Sequence, residues 1–218
     1  VIQTLGLPHV IASTHRYAVD LNRQESDFDQ AAVNGAVCPA GQFPIGLHWT
    51  RTTQGHILLE EPMSQEVHEE LIKKHFRPFH EKVRATIQSF WDEGHSKVYQ
   101  IDAHSMPSRG TDVHRDPGQE RPEVVVSDVN GASCEPEFTE LVVASYREAG
   151  FEVACNFPYK GGRITQTYGK PPEGQHCLQV ELNRRIYMDE ASKQRSSVRF
   201  SRVQEKLQNA VIRIYEQL

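Results

Sequence analysis

Short apolar runs alternate with segments of helical periodicity along most of the chain. Strands are expected where several apolar residues stand together between turn residues, and helices where apolar side chains recur at three- and four-residue steps. The predicted strands cover residues 9–12, 17–20, 98–101, 123–126, 151–155 and 178–182, and the predicted helices cover residues 64–94, 136–149 and 201–218.

Two segments interrupt this pattern. Residues 24–62 are rich in proline and glycine and lack a clear period, which predicts a long irregular excursion with at most short strands at 45–49 and 56–59. A loop of that length in a compact domain is often functional. Pro78 falls inside the long helical pattern and predicts either a kink or the meeting of two helices.

The alternation of strands and helices favours an α/β fold. We predict a three-layer architecture in which a mostly parallel mixed sheet carries helices on both faces. No repeat, low-complexity tract or linker is visible, so one domain is expected over residues 1–218. In such sheets a functional site lies beyond the carboxyl ends of the strands.

Charge and composition exclude several classes of protein. The net charge of −5 and the absence of a long basic run argue against nucleic-acid binding. No apolar stretch is long enough to span a bilayer. The four cysteines are widely spaced, which favours reduced thiols in a cytoplasmic enzyme over a disulfide framework. The chain opens on Val1 rather than Met, so we expect further residues upstream, and nothing indicates an oligomeric state.

Asp102 and His104 directly follow a predicted apolar strand. A histidine at a sheet edge could serve as a ligand or an acid–base group, with Asp102 orienting a neighbour from behind it. A histidine satisfied by its own loop is the equally acceptable alternative. Ser105 lacks the G-x-S-x-G surroundings of a nucleophilic serine.

A second polar cluster follows the predicted strand 17–20. Arg23 could hold a carboxylate through two parallel hydrogen bonds, Asn22 could add a donor, and Arg16 could reach the same pocket. A surface cluster of ion pairs would produce the same pattern.

Two further features carry possible chemistry. Glu181 alternates with the apolar residues of its strand, so it is either solvated on an open sheet face or held in a cleft as a general base. Lys160, Gly161 and Gly162 form a polar turn that could approach an anion closely, although a plain surface loop has the same composition.

The histidine spacing does not supply a self-contained zinc motif. His75 and His80 are separated by about 140° of helical rotation, and His68 and His75 lie about 10.5 Å apart along a helix. Neither pair matches the H-E-x-x-H arrangement, in which two histidines share one helix face.

Taken together, these pieces resemble the N-formylglutamate amidohydrolase family, which is similar in fold to the zinc carboxypeptidases. The resemblance covers residues 9–190 and is carried, in order, by Arg16-Tyr17-Ala18-Val19-Asp20-Leu21-Asn22-Arg23, His75 to His80, Ile101-Asp102-Ala103-His104-Ser105, Asn130-Gly131-Ala132-Ser133-Cys134, Asn156 to Tyr168, and Gln179-Val180-Glu181 with Tyr187-Met188.

The resemblance implies a metal-dependent hydrolase that converts N-formyl-L-glutamate to L-glutamate and formate in histidine degradation. It implies one divalent metal ion, zinc, with His104 as a ligand, Asp102 behind that ligand and Glu181 as the proton acceptor. The small acidic substrate would be held by a set of cationic, amide and glycine residues, namely Arg16, Asn22, Arg23, Lys160, Gly161 and Gly162.

One departure leaves alternatives open. The family normally begins with a P-H-x-G strand and a later acidic residue that supply the other metal ligands. Here Pro8-His9 is followed by Val10-Ile11 and does not match that motif, so the remaining ligands are expected outside this sequence. A carboxypeptidase-like deacylase of another N-acyl amino acid, or an inactive fragment that binds acidic amino acids, would keep the same residues.

Overall fold

The computed structural model describes all residues from 1 to 218, and they form two compact units. One unit is His9–His95, and the other comprises Val1–Pro8 with Ser96–Leu218. The sequence contains no composition shift at this division, and the expected single-domain organisation stays a prediction. No helix has the length and apolar sequence needed to cross a membrane.

The larger unit is built on a four-stranded sheet. Its strands are Val98–Met106 (β1), Val124–Ser127 (β2), Val153–Cys155 (β3) and Gln175–Asn183 (β4), in the spatial order β1-β4-β2-β3. The pairs β1–β4 and β2–β3 are parallel, whereas β2 and β4 are antiparallel. The predicted mixed, mostly parallel sheet is therefore confirmed.

Helices cover both faces of this sheet, as predicted. The apolar face packs on two amphipathic helices, Pro136–Glu148 and Ser197–Glu216, through a core that includes Val124, Leu178, Phe138 and Ile214, all buried. The short helix Arg163–Tyr168 lies on the polar face, where its N-cap Gly162 bonds the side chain of Gln179. Similarity to zinc carboxypeptidases stays a prediction.

Strand β1 is longer than the apolar run that predicted it. The sequence placed Asp102 and His104 after a strand of residues 98–101, but β1 continues to Met106, and both residues lie within it. That expectation was wrong because β4 continues alongside, and the pairing runs without a break from Val98↔Gln175 to Met106↔Asn183. Strand length here follows from pairing rather than from local hydrophobicity.

The smaller unit contains the predicted long helix. It starts at the N-cap Ser64 as Gln65–Leu71 (α1), passes through the π-helical turn Ile72–Phe76 and continues as Arg77–Asp92 (α2). The amide of Arg77 bonds the carbonyl of Ile72, five residues back. The π-turn ends two residues before Pro78, whose ring removes a helical N–H, and the helix continues past the proline.

The strands predicted in the smaller unit do not form. Residues 9–12 and 17–20 are outside any strand, and Ile11 is 64% exposed rather than buried. Residues 45–49 and 56–59 make only isolated bridges. These runs are too short to gain enough from pairing, and Val19 and Leu21 are buried instead against Leu47 and the helical segment.

Candidate active site

The parallel pairing of β1 and β4 brings four polar side chains to one face of the sheet. His104 is the register partner of Glu181, and Asp102 is the partner of Gln179. Side chains two residues apart on a strand share a face, so the four form two adjacent rows, one at the middle of both strands and one closer to their carboxyl ends. Ser105 faces the other way, where Arg184 donates to its hydroxyl oxygen.

Asp102 holds the imidazole of His104. The carboxylate Oδ2 of Asp102 accepts a hydrogen bond from His104 Nε2 at 3.0 Å, and both side chains are largely buried. The proton on Nε2 leaves the lone pair of a neutral ring on Nδ1, the atom with which the ring could bind an electrophile. A carboxylate behind a histidine in this way is typical of metal ligands and of acid–base groups.

Glu181 is buried and belongs to a chain of hydrogen bonds. Its Oε1 accepts from Nε2 of Gln179 at 2.7 Å, and Oε1 of Gln179 accepts from the backbone N–H of Gly162 at 2.6 Å. Glu181 is 7% and Gln179 3% exposed. The cleft interpretation of Glu181 is therefore favoured over an open, solvated sheet face.

The turn at residues 156–162 lies over the same face of the sheet. Asn156 and Asp128 exchange hydrogen bonds at its base, and Ser127 donates to the carbonyl of Tyr159. Gly161 has φ +111°, and a Cβ there would come within 2.9 Å of Val129. The positive φ and this close approach explain the glycine at position 161. Lys160 is exposed, and the Gly162 N–H is engaged by Gln179.

A buried cation beside the site, Arg121, was not predicted from the sequence. Arg121 is 2% exposed and forms a two-point ion pair with Asp116 at 2.7 and 2.8 Å. Its Nη1 also donates to the hydroxyl of Tyr159 at 2.9 Å. The two charged residues lie in a loop, where no helical or strand period predicts which side chains meet. The one signal in the sequence is their opposite charge at a spacing of five positions.

The charges around Tyr159 act on its pKa in opposite directions. Burial raises the pKa of Tyr159 most strongly, the Arg121 cation opposes this, and the charge of Glu181 adds to the increase. Tyr159 therefore stays protonated and lies within electrostatic reach of Glu181. In the same network, hydrogen bonds from Arg121 lower the pKa of Asp116.

In the smaller unit, a buried carboxylate organises the predicted substrate-binding residues. Asp20 is 1% exposed, and its carboxylate accepts from the backbone N–H of Asn22 at 3.0 Å and from the indole N–H of Trp49 at 2.9 Å. Its oxygens also lie 3.4 Å from Arg16 and 3.7 Å from Arg23.

Arg23 is tied to its own surroundings as well. Its guanidinium donates to the carbonyls of Ile45 at 2.9 Å and of Asn22 at 2.8 Å, while the side chain keeps 30% of its surface exposed. This geometry is compatible both with a group that binds a substrate carboxylate and with a cluster of ion pairs.

Three histidines of the smaller unit are packed into its interior. His48 bonds the carbonyl of Ala18 through Nδ1 and His68 through Nε2, each at 2.9 Å, and His80 bonds the carbonyl of Leu21 at 3.0 Å. Burial lowers the pKa of all three rings. Their bonds to the backbone and to each other indicate structural roles.

The residues of this chain do not by themselves fit a catalytic zinc ion. Such an ion usually takes three protein ligands, and the chain contains no group of three or more histidine, cysteine, aspartate or glutamate side chains placed to hold a metal. His104, with Asp102 behind its ring, has the chemistry of one ligand only.

Comparisons with known proteins agree on one family. A sequence model described as N-formylglutamate amidohydrolase matches residues 1–188. The N-formylglutamate deformylase of Pseudomonas putida is 32% identical over 190 residues, covering 85% of this chain and 66% of that protein. The enzyme of the same name from Pseudomonas aeruginosa is 29% identical over 192 residues, covering 86% and 67%. The chain thus spans about two thirds of the length of these relatives.

Solved structures show the same relationship. The crystal structure of N-formylglutamate amidohydrolase from Ralstonia eutropha JMP134 superimposes with a TM-score of 0.77 at 26% identity, covering 92% of this chain and 73% of that one. A structure from Agrobacterium tumefaciens, with 17% identity and a TM-score of 0.60, covers 92% and 69% and shows the fold alone.

Proposed function

The chain belongs to the N-formylglutamate amidohydrolase family, and we propose that its protein hydrolyses N-formyl-L-glutamate to L-glutamate and formate. The observation that carries this proposal is the pairing of His104 with Glu181 on one sheet face, because it puts a buried carboxylate beside an oriented imidazole. Water attack on an amide needs a proton acceptor placed next to the reacting carbonyl.

Glu181 is assigned the role of general base. It takes a proton from the attacking water and returns it to the nitrogen of glutamate as the amide C–N bond breaks, so that formate and the free amine leave. The hydrogen bond from Gln179 to Oε1 fixes the carboxylate in one orientation. Because the carboxylate is already held in place, no conformational entropy has to be lost to position it when the reaction occurs.

His104 is proposed as one ligand of a single divalent metal ion, zinc, for which this chain supplies no complete set of ligands. Asp102 supports this role, since a carboxylate on the distal nitrogen orients a ligand ring and raises its basicity. A zinc ion, when bound, supplies Lewis-acid polarisation of the carbonyl.

The remaining assignments concern carboxylate binding and are made for each unit by itself. In the smaller unit, Arg16, Asn22 and Arg23 are proposed to bind a carboxylate of the substrate. In the larger unit, the same role is proposed for the exposed cation of Lys160 with the Gly161-Gly162 turn. The proposal also includes a cytoplasmic location and a place in histidine degradation; the four free cysteines accord with a reducing compartment.

The proposal is tested by formate release. The full-length protein is incubated with N-formyl-L-glutamate before and after dialysis against a chelator, and metal content is measured on the same samples. Formate production that disappears with the metal and returns on addition of Zn²⁺ is the expected result. Failure of the metal-loaded protein to release formate would overturn the proposed reaction. Undiminished release after complete metal removal would show that the reaction does not require a metal ion.

A further inference from the structure

We infer that Gln179 is a positioning residue for the proposed reaction: its side-chain amide fixes the Glu181 carboxylate by tying it to the backbone of the glycine turn. The inference rests on the proposed function, because it assigns Gln179 a role in the work of Glu181. Gln179 has no charge and does not itself accept the proton.

The orientation of the Gln179 amide is determined by its partners. The backbone N–H of Gly162 is a donor, so the atom of Gln179 that receives it at 2.6 Å must be the oxygen Oε1. The nitrogen Nε2 then faces Glu181 and donates to Oε1 of its carboxylate at 2.7 Å. If the amide were flipped, its NH2 group would face the Gly162 N–H and its oxygen would face the Glu181 carboxylate, and neither contact would be a hydrogen bond.

Burial makes this arrangement rigid. Gln179 is 3% exposed, and its strand neighbours at the same register level are Asp102 on β1 and Ser127 on β2. Water has little access to replace either bond, and a buried polar group that loses its partner is destabilising. The amide therefore couples the position of the turn to the position of Glu181.

The register partners of Glu181 on the two neighbouring strands differ from Gln179. On β2, the residue in register with Glu181 is Val125, which offers no side-chain donor. On β1, the Nε2 of His104 is directed to Asp102.

Two substitutions distinguish positioning of the Glu181 carboxylate from a role that only anchors the glycine turn. Gln179→Glu keeps an acceptor for the Gly162 N–H but removes the donor to Glu181, whereas Gln179→Met removes both. The matched control is Gln204→Glu, the same change at an exposed glutamine of the helix Ser197–Glu216. Formate release gives kcat and KM, and NMR hydrogen exchange reports protection of the Gly162 amide.

With Gln179 as a positioning residue, Gln179→Glu lowers kcat by about 10- to 100-fold, a loss typical of a displaced catalytic group, and leaves KM within about twofold. Protection of the Gly162 amide is retained in this variant. Gln179→Met lowers kcat similarly and loses the amide protection, while Gln204→Glu behaves as wild type. Melting temperatures check folding, and Gln179→Met alone decides the kcat effect if the buried second carboxylate prevents Gln179→Glu from folding.

Wild-type kcat in folded Gln179→Glu or Gln179→Met would overturn the positioning role while leaving the proposed function standing. A raised KM with unchanged kcat would do the same, since it would assign the amide to substrate binding. A metal-loaded wild-type protein without formate release would instead overturn the proposed function, and this inference with it.

Discussion

His104 and Glu181 occupy the same register position on the parallel strands β1 and β4, with their side chains on the polar face of the sheet. One residue along each strand, Ser105 and Leu182 are paired on the opposite, apolar face. A shift of the pairing by a single residue would separate the imidazole from the carboxylate. The chemistry proposed for this protein therefore depends on the register of two strands.

Glu181→Gln tests the base. The change keeps the shape of the side chain but removes its ability to accept a proton, so kcat for formate release is expected to fall by about 10²–10⁴-fold with little change in KM. Glu173→Gln, at an exposed position in the turn before β4, serves as the matched control. A Glu181→Gln protein with wild-type kcat would remove Glu181 from the reaction.

Asp102→Asn tests the support of His104. The amide cannot match the carboxylate as an acceptor for Nε2, so metal affinity and activity are expected to fall by about 10- to 100-fold. Metal titration and formate release measure the two effects. The control is Asp112→Asn at an exposed loop position. Equal metal affinity in both variants would argue against His104 as a ligand.

Arg23→Met tests carboxylate binding in the smaller unit. Loss of the guanidinium is expected to raise KM for N-formyl-L-glutamate by at least about tenfold, and to affect a neutral formyl amino acid much less. Arg51→Met, at an exposed arginine of the same unit, is the control. The same increase for both substrates would show that Arg23 only maintains the local structure.

The buried histidines predict a loss of stability in mild acid. The pKa values of His48 and His68 are lowered in the folded state, mainly by burial, so the unfolded chain takes up protons that the folded chain refuses. Their contribution to stability is complete above the ordinary histidine pKa of 6.5 and declines as the pH falls below it. Urea unfolding at pH 7.5, 6.5 and 5.5 is expected to show this decline.

The double variant His48→Gln/His68→Gln should show a shallower pH dependence, even if it is less stable at pH 7.5. His95→Gln, at an exposed histidine of the same unit, should keep the wild-type slope. A slope unchanged in the double variant would assign the acid sensitivity to other groups.

The Arg121–Asp116 pair predicts a large effect on stability. Arg121→Met leaves a carboxylate that is 1% exposed without its ion-pair partner, so the free energy of unfolding is expected to fall by about 3–5 kcal/mol. Adding Asp116→Ala removes the stranded charge and should make the double change less costly than the sum of the two single changes, by about 0.5–3 kcal/mol. Additive losses in urea unfolding would contradict this coupling.

Sequence patterns anticipated the elements better than their contacts. The helices at residues 136–149 and 201–218 could be predicted, and so could the placement of Glu181 on the strand face opposite Val180 and Leu182, because these periods are local. The strands at 9–12 and 17–20 could not be excluded, since a short apolar run is also buried by loop packing. Gln179 was noted only as the neighbour of Glu181, and the one signal for Arg121 was the opposite charge of Asp116 five positions away.

For the pair His104 and Glu181, the sequence by itself determined the face on which Glu181 would lie and the residue types that suit amide hydrolysis. Only the tertiary structure decided that β1 extends to Met106, that its register opposes these two residues, and that Gly162 fixes Gln179 against Glu181. Alternation along a strand follows from backbone geometry within a few residues. Pairing between distant strands is selected by the free energy of the whole packed sheet, which no local pattern contains.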